Sequence, residues 1–258
     1  MDKMKNGAVL RNGTQRTAKE VFEKYAIVIA FLALLLVVSI LCSSFLTPSN
    51  LILVLNQTSI NGILAVGITY VLITAGIDIS IGSVVGLSGV ISAMVVKAGA
   101  PLPVGFLCGI LAGTLVGVII GILVTKGKLA PYIVTLGFLT IIRGAALLIV
   151  GGRPISSLGD AYGWIGNHNV FGVIPCPVII FLIVVVIGHI ILAHLQIGRY
   201  IYAVGGNSNA AEACGISPNK VKMFVHVFCG TCAGLAGVIL SSRVITGHPG
   251  AGEGYELD

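Results

Sequence analysis

Apolar residues fill seven long blocks of this chain, separated by short polar interruptions. The blocks are Ala26–Ser44, Gln57–Ala75, Ile81–Val96, Val104–Val124, Ile133–Val150, Ile174–Ala193 and Val221–Leu240. A helix needs about 20 apolar residues to cross a hydrocarbon core of about 30 Å, and most of the blocks fit that length. The pattern therefore predicts an all-α, polytopic membrane protein with about seven transmembrane helices and short loops. Pro101, Pro103, Pro131, Pro175 and Pro177 lie near block starts, where a missing N–H costs little. Ahead of the first block, Thr17-Ala-Lys-Glu20 has the form of a capping box. The first block is too long for a signal peptide and lacks a small-residue cleavage pattern, and a bulky Leu41 precedes Cys42. It reads as a retained anchor.

Composition agrees with the pattern. Hydrophobic residues make up 56% and charged ones 9%, and mean hydropathy is +1.06. That is too little charge for a soluble surface. The 35 glycines have no triplet period and instead favour close helix contact, because lipid supplies no hydrophobic force between helices. Gly109, Gly113, Gly117 and Gly121 recur every four residues along the fourth block, and Gly230 and Gly234 repeat the device in the seventh. Of the six cysteines, Cys229 and Cys232 form C-x-x-C, but inside an apolar helical run where packing is the expected role.

The net charge of +6 belongs to topology rather than to nucleic acid. Lys3, Lys5, Arg11, Arg16, Lys19 and Lys24 precede the first block. With that tail inside, Lys126, Lys128, Arg199, Lys220 and Lys222 also fall inside, whereas only Lys97, Arg153 and Arg243 fall outside. The asymmetry predicts a cytoplasmic N-terminus.

Few residues offer chemistry. Asp78, in AGIDISIGS (Ala75–Ser83), is the only acid between Glu23 and Asp160. It reads either as part of a tight turn, with Asp78 or Ser80 capping the third helix, or as a break within the membrane that lines a substrate site. Arg143 lies inside the fifth block. Facing lipid there would cost at least ~2.5 kcal/mol, so it points inward, to a wet cavity or to loop carbonyls. Gln57 and Asn61 share a helical face and can bind sugar hydroxyls or bridge helices. Gly127-Lys128 is followed by leucine and is not a phosphate-binding loop. No H-E-x-x-H stands in the chain and its five histidines are not spaced as a metal cluster. The expectation is a protein that is not an enzyme and holds no cofactor or metal.

The longest late polar stretch, GRYIYAVGGNSNAAEACG (Gly198–Gly215), carries a second signal. Asn209-Ala-Ala-Glu212 resembles a capped helix start and Gly215 a helix stop, which predicts one short helix over Ala210–Cys214. Gly205-Gly206 allows a sharp bend before it, and Ser217-Pro218 opens the next helix.

GRYIYAVGGNSNAAEACGIS resembles the cytoplasmic coupling loop of the permease subunits of monosaccharide ABC importers, the ribose/xylose/arabinose family, and is most similar to its ribose branch. GIDISIGS (Gly76–Ser83), TKGKLAPYIVTLG (Thr125–Gly137) and GAGEGYELD (Gly250–Asp258) are similar to stretches of the same family, in the same order. The resemblance covers nearly the whole chain from about Leu46. It implies a permease of the bacterial inner membrane that pairs with a second permease subunit and takes sugar from a periplasmic binding protein. A cytoplasmic ATPase would drive it, docking on Asn207, Ser208, Asn209, Ala210, Ala211, Glu212 and Gly215 within a coupling loop 194–220. Gln57, Asn61, Asp78 and Arg143 become candidates for the substrate pathway. The expected organisation is a cytoplasmic tail, 1–25, and a permease domain, 26–258. The family continues roughly 70 residues beyond GYELD, so that domain is expected to be incomplete. The alternatives are an ion-coupled secondary transporter, whose coupling residues are not found, and a membrane-embedded enzyme, for which no constellation is present.

Overall fold

The computed structural model describes residues 25–170 and 172–257. The capping box at Thr17–Glu20, the six basic residues of the tail and Asp258 lie outside them. The chain divides into two units, Met1–Leu53 and Val54–Asp258. In the first, helix α1 (Tyr25–Leu41) is followed by a turn where the Asn50 side-chain amide donates to the Phe45 carbonyl at 2.9 Å. Helix α2 (Pro48–Ile73) begins there and continues into the second unit.

The second unit is built around three helices: α3 (Ile81–Lys97), α4 (Leu102–Thr125) and α10 (Pro218–Val244). The two glycine ridges read from the sequence face each other. A Cβ at Gly113 would lie 2.5 Å from the Gly230 carbonyl oxygen and 2.6 Å from the Gly234 Cα, and one at Gly230 would meet Gly113 and Gly117. With no side chains between them, α4 and α10 approach backbone to backbone, and dispersion and close carbonyl contacts replace the missing hydrophobic drive. Helix α3 fits the same seam, with Gly89 against Ser241 and Gly237 against the Val85 carbonyl. Thr114 and Thr231 join α4 to α10 through their hydroxyls at 3.0 Å.

Around this core stand α5 (Pro131–Ile149), against α3, and α7 (Cys176–Ala193). The α2 residues from Val54 onward pack on α10 through Gly67, beneath Cys229 and Cys232, and on α7. There the Tyr70 hydroxyl donates to the Gly188 carbonyl at 2.7 Å. One end of the bundle is closed by the 151–175 segment, which holds a 3-10 turn (Asp160–Gly163), the short helix α6 (Trp164–Asn167) and a small antiparallel pair, β1 (Asn169–Val170) with β2 (Ile174–Pro175). Tyr162 is its anchor: its hydroxyl bonds Ser92 of α3 at 3.0 Å and also meets Ser241 of α10. The other end carries α8 (Gln196–Gly206) and α9 (Ser208–Ala213).

All seven apolar blocks contain helix, and the all-α, multi-pass expectation holds. Among the described residues five helices are long and apolar enough to cross a membrane: α2, α4, α5, α7 and α10; α1 and α3 are shorter apolar helices. Helix α3 can be short because protein, rather than lipid, surrounds it: Val84 to Val90 are buried without exception. The expected starts also shift. Helix α2 begins nine residues before Gln57, and Ile174 and Pro175 belong to β2 rather than to the sixth helix.

Candidate functional site

The site is built on the break between α2 and α3. Helix α2 ends in a Schellman turn: the Gly76 amide donates to the Val71 carbonyl (3.0 Å) and the Ala75 amide to the Leu72 carbonyl (2.9 Å). Ala75 takes the left-handed conformation there, at φ 58°. Two residues on, the Asp78 Oδ1 accepts from the Ser80 amide (3.0 Å) and the Ser80 hydroxyl (2.6 Å). This corrects the capping expectation. Ser80 is the N-cap residue of α3 but makes no side-chain cap bond, and Asp78 instead closes a two-residue turn that holds Ser80 in place. The second Asp78 oxygen lies 3.6 Å from the His226 Nδ1 on α10, with both side chains buried. Asp78 thus lies against α10 about two turns in from the α10 start.

All four stretches that carry the family resemblance meet around this break. From the second, the Thr135 hydroxyl contacts the Ile77 carbonyl at 3.3 Å, and on the same helix the Leu139 carbonyl accepts from the Ser83 hydroxyl at 2.7 Å. From the last, the 247–257 segment lies over the glycine face of α3. A Cβ at Gly82 would overlap the Glu256 carboxylate and the Gly252 carbonyl, and one at Gly86 would lie 2.8 and 2.9 Å from the Ala251 and Pro249 carbonyls. From the coupling stretch, Gly205 sits so tightly on the Ile73 carbonyl that even a methyl group would overlap it.

Arg143 secures the covering segment. Its Nη1 donates to the Pro249 and Ala251 carbonyls, both at 2.8 Å. Of its two expected surroundings the loop carbonyls are observed, and it also lines a cavity of about 640 Å³ with Ser83, Thr140, His248 and Glu256. A second cavity of about 320 Å³ is lined by Asn61, Leu64, Ile68, Ile81 and, again, Glu256. Gln57 is exposed and lines neither cavity, so the structure does not bring the expected Gln57–Asn61 pair together at one site. Asp78 is buried and lines neither cavity. Glu256 was not singled out from the sequence, although it stands in a stretch that carries the resemblance. Its Oε2 is buried without a hydrogen-bond partner. Among the described residues no group of three or more His, Cys, Asp or Glu side chains is gathered as for a metal ion.

The coupling stretch holds two helices rather than one. The expected bend at Gly205-Gly206 is the last turn of α8, and Gly205 is needed for close approach rather than for flexing. Helix α9 starts two residues earlier than expected. Its cap is Asn207, whose Oδ1 accepts from the Asn209 and Ala210 amides, both at 3.0 Å. Glu212 therefore takes no part in a capping box. The stop is as expected: Gly215, at φ 82°, completes a Schellman turn with Ile216 donating to Ala211 at 3.0 Å. Asn207, Asn209, Ala210, Glu212 and Gly215 are exposed, Ser208 is half-buried, and Ala211 is buried. The segment thus offers one polar face outward and one methyl group inward.

The chain matches the family described as the permease component of the branched-chain amino acid transport system over residues 50–258. It is 41% identical to the ribose import permease protein of Bacillus subtilis over 239 residues, 92% of this chain and 74% of that relative. It is 40% identical to the ribose import permease protein of Escherichia coli K12, over 89% of this chain and 73% of the relative. The L-arabinose transport system permease protein of the same organism is 31% identical over 92% of this chain and 72% of its own length. No solved structure matches. With its membrane-length helices and these relatives, the chain is a multi-pass membrane protein that belongs to this family of transport permease components.

Proposed function

We propose that this chain is the transmembrane permease subunit of an ABC importer for ribose or a similar pentose in a bacterial inner membrane. A separate cytoplasmic ATPase docks on the outward face of α9, a periplasmic binding protein delivers sugar at the 151–175 end, and a second permease subunit completes the pathway. The N-terminus and the 194–220 loop are cytoplasmic, and residues 26–258 form the permease domain. The observation that carries this reading is the contact of Gly205 with Ile73. It links the α8–α9 segment directly to the α2–α3 break, and the α3 start that follows the break lines the two cavities through Ile81 and Ser83. A push on α9 is then passed to α3 through packed backbone, which resists compression, rather than through flexible side chains. Transport is alternating access driven by ATPase closure, with no covalent chemistry on the permease.

Co-purification from membranes and vesicle uptake test it. A nucleotide-hydrolysing subunit should follow the chain through detergent extraction. Replacing Glu212 or Gly215 with tryptophan should cut ribose uptake at least tenfold while ATP hydrolysis continues. Uptake unchanged in both variants would mean that α9 is only a turn. The buried Asp78–His226 contact is the feature that speaks for a proton-coupled secondary transporter instead. Uptake that collapses with a protonophore at constant ATP, and survives ATP depletion, would establish that alternative.

A further inference from the structure

Glu256 is placed as few carboxylates are. It lines both cavities, at the point where they approach the α3 start. One oxygen is reached by the Gly254 amide at 3.4 Å, and the other is buried with no partner. One turn along the same face of α3, Arg143 comes against Gly86 as Glu256 does against Gly82. The larger cavity opens among Leu147, Gly152 and His248, toward the 151–175 end, and the smaller lies among Leu64, Ile68 and Ile81, toward the end of α2.

We infer that Glu256, with Arg143 one turn away, is the polar contact site for the transported solute between the two cavities, and that its ligand class is a neutral monosaccharide. The inference rests on the sugar-permease reading. A cation would be opposed by the guanidinium and an anion by the carboxylate. A sugar carries adjacent hydroxyls that both donate and accept, so it can donate to the Glu256 carboxylate and accept from an arginine or serine. The cavities, at about 640 and 320 Å³, suit a small ligand. Because Glu256 faces both, a solute moving from one to the other passes it, and its carboxylate replaces water hydrogen bonds along the way. Arg143 then has two tasks: it pins the covering segment that carries Glu256 and it balances the charge.

The test uses the full transporter in membranes, with Thr140→Cys as a reporter in the larger cavity and Cys42, Cys108, Cys176 and Cys214 changed to serine. Maleimide labelling of the reporter should slow at least threefold with ribose and be unaffected by a divalent cation. Glu256→Gln should abolish that protection and cut uptake at least tenfold at saturating loaded binding protein, and Glu256→Asp should restore part of both. Membrane abundance and ATPase co-purification serve as the folding controls. Wild-type uptake with Glu256→Gln, no ribose protection, or protection by a divalent cation would each overturn the assignment. Failure of the unsubstituted transporter to take up ribose, allose or arabinose would overturn the sugar-permease reading itself.

Discussion

At the scale of single residues, Asp78 is the most constrained acid in the bundle. One oxygen accepts from Ser80 twice over, and the other lies 3.6 Å from the His226 Nδ1, which is itself buried without a hydrogen-bond partner. Leaving a buried donor without its acceptor costs about 1–3 kcal/mol, and Asp78 is the acceptor for two donors of Ser80. Asp78→Ala should therefore lower stability in detergent by about 3 kcal/mol. Asp78→Asn, which can still accept from Ser80, should cost about half as much. Thermal unfolding of the two variants, alone and combined with His226→Gln, measures the coupling; additive losses would show that the 3.6 Å contact carries no energy. Tyr162 offers a pH-dependent case at the 151–175 end. Burial pushes its hydroxyl above its ordinary value of 10.0, against hydrogen bonds with Ser241 and Ser92 that pull it down. A raised value in the folded state favours the protonated form, so this contribution is complete below pH 10 and fades as pH rises beyond it. The stability gap between the native protein and Tyr162→Phe should narrow above pH 10. Arg143 marks the limit of sequence reading at this scale. Its inward orientation followed from the cost of lipid, but its acceptors, Pro249 and Ala251, lie more than 100 residues away and no local signal names them.

At the scale of elements, the glycine ridges decide which helices can meet. Because the α4 and α10 backbones touch, any side chain at Gly113 or Gly230 forces the helices apart. Gly113→Leu should cost about 3 kcal/mol, at the upper end for an overpacked core, whereas the same change at Gly137, where a Cβ has open space, should cost little. Melting temperatures of the two variants check the contrast. Gly205→Ala is a sharper probe, since its methyl group would overlap the Ile73 carbonyl. It should leave α9 folded and reduce uptake several-fold while ATP hydrolysis persists. Equal loss of both activities would point to unfolding rather than to a broken link. The two-residue slip in the α9 start has a plain cause. Asn207 and Asn209 are both good caps, and only the end of α8 and the burial of Ala211 select the first.

At the scale of the whole molecule, the charge asymmetry and the architecture agree on which residues share an end. Lys97 reaches the Ser156 carbonyl, and Asn167 donates to the Arg243 carbonyl, so two of the three expected outer cations cluster with the 151–175 segment. The opposite end holds Arg199, Lys220 and Lys222 around α8 and the α10 start. Cys214, exposed at the end of α9, is a built-in reporter of orientation. A membrane-impermeant maleimide should label it in inverted vesicles but not in spheroplasts, with Cys214→Ser as the blank. Labelling in spheroplasts would reverse the proposed topology.

The sequence by itself determined what is local or additive: the membrane class, the seven helical blocks, the small-residue ridges, the Gly215 stop and the inward turn of Arg143. Each follows from a short period, a charge count or a desolvation cost. Only the tertiary structure decided that the two ridges face each other, that the four resembling stretches meet at one break, and that Glu256 stands where two cavities approach. Those facts depend on contacts between residues 56 or more positions apart, which no periodicity within one helix encodes. The same glycine that reads as a possible hinge at 205 becomes a fixed contact once a carbonyl from another helix lies on it.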